Sequence, residues 1–198
     1  MRVGLWRRLI SFVLDAFPIA AIIALLFSWF VGDLLKPADY DNLYAQYTEI
    51  REEYFSDLEQ RYLDEELTYE EYRERYDSLM PSFQRATEEY YPAILKYTTR
   101  VVLYHVISFG AIYYIYQVST KGRTLGRRMM KIELAGKVTA WRLFVREILW
   151  KYVFWTITLF VGGIMLDIAM IAFSQKKQTL RDIVSGTYLQ YEGMDYPF

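Results

Sequence analysis

The chain has 198 residues, 54% of them hydrophobic, 18% aromatic and 24% charged, enough for one ordinary domain or a small membrane bundle with one polar insert. With no cysteine and a single histidine, disulfides, thiolate catalysis and the usual zinc ligand sets are excluded. The net charge of −1 hides two opposite blocks, Asp33–Tyr91 at −11 and the remainder at +10, which implies two different surroundings.

Positions 1–32 hold a basic start, Arg2, Arg7 and Arg8, followed by ISFVLDAFPIAAIIALLFSWFV from Ile10 to Val31, whose one charge is Asp15. Twenty-two such residues are long enough to cross ~30 Å of hydrocarbon as a helix. A secretory leader would have an apolar core of roughly 7–15 residues and a small-residue cleavage site, so the segment reads as a first span. Pro18 is tolerable in a membrane helix and is expected to kink it one turn above Asp15.

Positions 33–91 form an acidic insert with 17 acidic and 6 basic residues. Leu43, Tyr47, Ile50, Tyr54, Leu58 and Tyr62 recur at spacings of three and four, which places them on one helical face. Thr68 followed by Glu71 is a capping box opening a second helix, with Tyr69, Tyr72, Tyr76 and Leu79 on its apolar side. Met80-Pro81 is expected to end it, with a third short helix starting at Ser82. The insert reads as a helical hairpin with two tyrosine-rich stripes facing each other, and Tyr47, Tyr54, Tyr69, Tyr72 and Tyr76 are candidates for docking a partner. Its carboxylates are spread around both helices, so no metal site is expected.

Positions 92–118 give a second span, Val101–Val118, uncharged unless His105 is protonated and ending in a Tyr113, Tyr114, Tyr116 belt suited to a lipid–water boundary. The loop at 119–140 is strongly basic. Gly122 and Gly126 have the wrong spacing for a phosphate-binding loop, and anionic lipid headgroups are the simpler ligand for Lys121, Arg123, Arg127, Arg128 and Lys131. Lys131–Leu134 is a candidate short strand.

Positions 141–174 begin with Trp141–Tyr152, read as an amphipathic interfacial helix with Arg142 and Arg146 one turn apart and Glu147 one turn before Lys151. Phe154–Phe173 is apolar apart from Asp167 and is interrupted by Gly162-Gly163. Lys and Arg mark the cytoplasmic side of spans. The N-terminus is therefore expected inside, the insert outside and the basic loop inside. A hairpin turning at Gly162-Gly163, with arms Trp141–Phe160 and Ile164–Ser174, keeps Lys176, Lys177 and Arg181 inside as well, and a single straight third span is the alternative. The tail at 175–198 then remains in the cytoplasm, where Gly186–Gln190 can pair with Lys131–Leu134. The expected fold is an all-α membrane protein: a small polytopic bundle of two spans plus a C-terminal hairpin or third span, an acidic helical-hairpin insert and a tiny two-strand β element.

Asp15, His105 and Asp167 are ionisable groups inside apolar segments, each costing ~2.5–3.5 kcal/mol on insertion scales, which makes them candidate ion or proton sites. A pair of carboxylates at one depth, Asp15 and Asp167, could share a proton or cation. Against this stands a structural reading: Arg8, Ser11 and Asp15 form one stripe at i, i+3 and i+7, with Arg8 reaching headgroups and Asp15 bonded to the basic cytoplasmic segments.

RRLISFVLD, KGRTLGRRMMKIEL and QKKQTLRDIVSGTYL together resemble the RDD family of bacterial membrane proteins, whose arginine and two aspartates fall on Arg8, Asp15 and Asp182. The TLG-R-R element falls on Thr124–Arg128. The insert and Asp167 are not part of the shared pattern. The resemblance implies a polytopic protein of the bacterial cytoplasmic membrane, with some members similar to ion/proton exchangers and others acting on membrane-bound partners. No Ser/His/Asp set or nucleotide loop is legible, so neither catalysis nor a cofactor is expected. The expected partners are the bilayer, its anionic headgroups and another membrane or surface protein, with homo-oligomers also compatible and nucleic acid not. Two functions follow: a regulator or scaffold acting through the insert, or a small ion- or proton-coupled transporter using Asp15 with Arg8.

Overall fold

Long apolar runs without helix-breaking clusters wind into helices, and two of them dominate this protein. The computed structural model describes residues 3–154, 157, 161–173 and 178–194. Helix α1 (Leu5–Leu26) passes through Pro18 and continues by a π-helical turn, Phe27–Val31, into α2 (Gly32–Leu34). It is followed by α3 (Tyr40–Leu63), α4 (Tyr69–Thr87) and α5 (Tyr91–Ser119). Then come α6 (Leu125–Met129), β1 (Ile132–Gly136), α7 (Ala140–Phe144) and a π-helical segment, Val145–Phe154. The described chain closes with α8 (Val161–Phe173), α9 (Leu180–Ser185) and β2 (Thr187–Tyr191).

The continuous helices Leu5–Leu34 and Tyr91–Ser119 both have the length and composition to cross a membrane, and only 22% and 17% of their most apolar windows are buried. The core helix of a water-soluble protein would hide most of such a surface. Here Trp6, Phe17, Trp29 and Phe30 are among the side chains left exposed.

The chain divides into two units, Met1–Phe27 with His105–Phe198, and Ser28–Tyr104. In the second, α3 and α4 pair around Phe55, Leu58, Leu67 and Phe83, with Tyr47, Tyr54, Tyr72 and Tyr76 packed against them. The Phe55 ring lies 4.7 Å from that of Tyr76 and 5.1 Å from that of Phe83. The capping box at the start of α4 forms as its sequence implies: the Glu71 N–H donates to Thr68 Oγ1 at 3.3 Å and the Thr68 N–H to Glu71 Oε2 at 2.9 Å. Met80-Pro81 does not end the helix. Pro81 lies inside α4, because Tyr76, Phe83 and Thr87 share the packed side and burying Phe83 requires the helical phase to continue past the proline. Upstream, Lys36 is held between Asp33 at 2.9 Å and Asp41 at 2.8 Å, and Arg100 donates to the Leu35 carbonyl at 2.9 Å.

In the first unit, β1 and β2 pair antiparallel, Ile132 opposite Tyr191 and Gly136 opposite Thr187. The expected pairing forms, displaced toward Gly136 because Gly186 is not in the strand: at φ +61° it caps α9. Ile132, Leu134 and Leu189 gather with Val3 and Leu143 into a small core. Gly162 and Gly163 are a correction. Both lie in the first turn of α8, where Gly163, Asp167 and Ile171 form a buried stripe at spacings of four, so the pair continues the helix and does not reverse the chain. Positions 155–156, 158–160 and 174–177 of the expected hairpin arms and tail, and Arg2 at the start, lie outside the described residues.

Candidate functional site

The buried face of α1 is a polar stripe, Arg8, Ser11 and Asp15, prolonged by Ile19 and Ile23. Asp15 is filled from three directions. The Thr124 hydroxyl donates to its Oδ2 at 2.5 Å, the Gly126 N–H to Oδ1 at 2.8 Å and the Tyr116 hydroxyl to Oδ1 at 3.3 Å. Tyr116 is itself fixed by the Leu125 N–H, which donates to its oxygen at 2.6 Å. Residues 124–126 can supply these donors because Thr124 caps the short helix α6, leaving its first N–H groups unused within the helix. The approach requires glycine, since a Cβ at position 126 would stand 2.1 Å from the Ser11 carbonyl oxygen.

Arg8 does not reach outward to headgroups, nor is Asp15 its partner. It is buried and donates to Asp182 at 2.9 Å, across 174 residues of sequence. Asp182 also accepts from Arg146 and, at 3.0 Å, from the N–H of Thr179, which caps α9. Burial alone would raise the Asp182 carboxyl, but Arg146, Arg8 and Arg181, with the Thr179 N–H, more than offset it and hold the group well below the usual carboxylate range.

The network continues inward from Arg146, which is only 1% exposed. Its Nη1 donates to Thr187 Oγ1 at 3.0 Å and its Nε lies 3.4 Å from Glu147. Glu147 meets Lys151 at 2.6 Å and Arg127 at 3.7 Å. Lys151 sits over the rings of Phe12 and Tyr113 at 4.8 and 4.7 Å. Arg127 donates to Gln117 Oε1 at 2.9 Å and to the Gly122 carbonyl at 2.7 Å. The result is a chain of alternating sign, Arg8, Asp182, Arg146, Glu147, then Arg127 and Lys151, tying α1, α5, α6, the π-helical segment and α9 together.

Two sequence expectations change here. Trp141–Tyr152 is not a uniform interfacial α-helix, because from Val145 it winds as a π-helix, and Arg146 and Glu147 both turn inward. Arg127, grouped with the lipid-facing cations, is 5% exposed and bonded internally, whereas Lys121, Arg123, Arg128 and Lys131 are exposed. Arg146, Glu147 and Gln117 escaped the sequence reading as site residues. The usable signal was the adjacent Arg146-Glu147 between Phe144-Val145 and Ile148-Leu149, since on one short helix both charges cannot face headgroups while their neighbours face the hydrocarbon.

The candidate ionisable groups go to different places. Asp15 is held by the α6 donors, Asp167 lies 3.7 Å from Arg181 Nε, and the His105 ring lies 4.9 Å from that of Phe27. Among the described residues no hydrogen bond or ion pair joins Asp15 to Asp167. Of the tyrosines proposed for docking, Tyr47, Tyr54, Tyr72 and Tyr76 pack into the hairpin, and only Tyr69, at 59% exposure, faces outward.

Beside the network is a cavity of about 390 Å³. One side is charged, with Arg8, Arg127, Arg146, Lys151 and Arg181 against Glu147 and Asp167. The other is apolar, with Leu9, Phe12, Ile164 and Ile168.

Two helices long and apolar enough to cross a membrane, a small two-strand sheet and a buried ionic network define a predominantly helical protein. The chain belongs to the RDD family, whose model matches residues 2–186. Comparison with curated proteins and with solved structures gave no match. The three blocks that carried the resemblance converge in space: Arg8 binds Asp182, and Asp15 binds the Thr124–Gly126 element.

Proposed function

We propose that this protein is a multi-pass component of the bacterial cytoplasmic membrane, with its N-terminus, basic loop and tail in the cytoplasm, and that it acts without catalysis as a scaffold or regulator. Its acidic hairpin lies outside the membrane and docks a basic surface of another membrane or surface protein. The observation that carries this reading is the hairpin's own aromatic core around Phe55 and Phe83. A rigid pair of helices needs none of its outer carboxylates for packing. Glu49, Glu52, Glu53, Glu70 and Glu74 are exposed, and among the described residues they form no ion pair. Such a field of like charge destabilises its own unit mildly and steers a cationic partner.

Transport through Asp15 is the second reading, and the saturation of that carboxylate by three donors speaks against it. A group that carries a proton or cation must release its partners in each cycle, whereas these donors are supplied by a capped helix at close packing. The two readings separate cleanly. Replacing Glu49, Glu52, Glu53, Glu70 and Glu74 by glutamine should abolish photo-crosslinking from position 69 to a partner in native membranes while leaving the chain folded. Unchanged crosslinks would refute the docking role. A proton or sodium flux in liposomes that is present in the wild type and lost in Asp15→Asn would establish transport instead.

A further inference from the structure

The cavity beside the ionic network carries more positive charge than its own acids balance. Among the described residues five cations line it against two carboxylates, and counting Asp182, bonded to Arg8 and Arg146, still leaves an excess of two. Uncompensated charge in a poorly hydrated site is costly, and proteins meet that cost with a bound counter-ion, water or further hydrogen bonds. Two donors remain in reserve. Among the described residues Arg146 Nε and Arg181 Nε are buried without a hydrogen bond, with ion-pair contacts to Glu147 at 3.4 Å and Asp167 at 3.7 Å.

The opposite wall asks for something different. Leu9, Phe12, Ile164 and Ile168 line the cavity and are also exposed on the outer faces of α1 and α8, so they form its rim. An inorganic anion would satisfy the guanidinium groups and leave this wall idle, and a neutral hydrocarbon would do the reverse. A volume of about 390 Å³ falls within the range of small-molecule sites.

We infer that this cavity binds an anionic amphiphile, its phosphate or carboxylate held by Arg181 and Arg146 and its alkyl chain lying along Phe12, Ile164 and Ile168. In a bilayer the natural supplier is an anionic phospholipid that enters past the rim. This differs from loose attraction of headgroups to the exposed basic loop, because the ligand enters the fold and contacts residues already held by the network. The inference rests on the membrane placement proposed above but not on the docking role of the hairpin.

The test uses the full chain in detergent, with bound lipid read by native mass spectrometry. Phosphatidylglycerol should be retained one to one and phosphatidylcholine should not. Arg181→Gln removes a charge-assisted contact and should weaken phosphatidylglycerol retention roughly tenfold or more. Ile168→Trp, which fills the apolar side and leaves every charge in place, should weaken it to a similar degree. Melting in the same detergent confirms that each variant is folded, and Ile168→Trp alone decides if the arginine variant is not. Equal retention of both lipids, or no change in a folded variant, would overturn the inference. Displacement of phosphatidylglycerol by an equal concentration of inorganic phosphate would also do so, because the apolar wall would then contribute nothing. The hairpin variant with its five carboxylates neutralised should retain the lipid as the wild type does, which keeps failure of the docking role distinct from failure of the cavity.

Discussion

The two units of this chain are stabilised by opposite means. The hairpin keeps its charges outside and packs aromatic rings inside, as a water-soluble protein does, whereas the unit built on α1 and α5 leaves apolar side chains outside and buries its charges. The difference teaches where each is vulnerable. When the surroundings are as apolar as the core, burying a leucine gains little, and directional contacts between polar groups together with close approach of small residues set the geometry. Removing one charge from such a network leaves its partners buried and unpaired, which costs far more than the intact pair contributes.

The largest effect is therefore expected at Asp182. Asp182→Ala would take from Arg8 and Arg146 the carboxylate they share, and a loss of ~3–5 kcal/mol should appear as a collapse of the melting transition in detergent. Phe55→Ala in the hairpin should cost a similar ~3–5 kcal/mol by opening a cavity, yet hydrogen exchange should show the loss confined to α3 and α4. Equal protection losses throughout would mean the two units are not separately stabilised. Next comes Gly126→Ala, whose added methyl meets the Ser11 carbonyl at 2.1 Å, with ~1–3 kcal/mol expected from overpacking and little relief available from backbone. The smallest effect belongs to the hairpin surface: Thr68→Ala should cost ~1 kcal/mol through the lost cap.

The same contrast extends to pH. Because Asp182 is depressed in the folded protein, the stability it contributes is fully present above the ordinary aspartate value of ~3.9 and is lost only as the pH falls further, toward the folded value. The melting temperature of the α1 unit, corrected with an Asp182→Asn control, should therefore be insensitive to this group between pH 7 and 5. A marked decline across that window, absent in the control, would show that Asp182 is not ion-paired as described.

What was legible in the sequence tracks periodicity and capping. The Arg8, Ser11, Asp15 stripe and the Thr68–Glu71 box follow from local rules, because each depends on residues a few positions apart, whereas the pairing of the two short strands follows from placing both runs on one side of the membrane. Pro81 departs from its expectation because a proline is read as a helix end until a tertiary core demands that the helix continue, whereas the facing tyrosine stripes of the hairpin follow from their spacing and leave Tyr69 as the outward one of the five tyrosines offered for docking. The adjacent charges Arg146 and Glu147 between apolar pairs were a local signal, but the direction they face was illegible because it depends on π-helical winding, which has no sequence period to announce it. Arg8 with Asp182 could be named from the resemblance, but their partnership, across 174 residues, required the fold.

The proposal that the hairpin lies outside the membrane and the basic loop in the cytoplasm is directly measurable, because the chain has no cysteine. Single cysteines placed at the exposed positions Asp64, in the hairpin, and Lys137, after β1, report without background. In intact cells stripped of their outer layers, a membrane-impermeant maleimide should label Asp64→Cys at once and Lys137→Cys only after permeabilisation. Labelling of both positions from the same side would contradict the account.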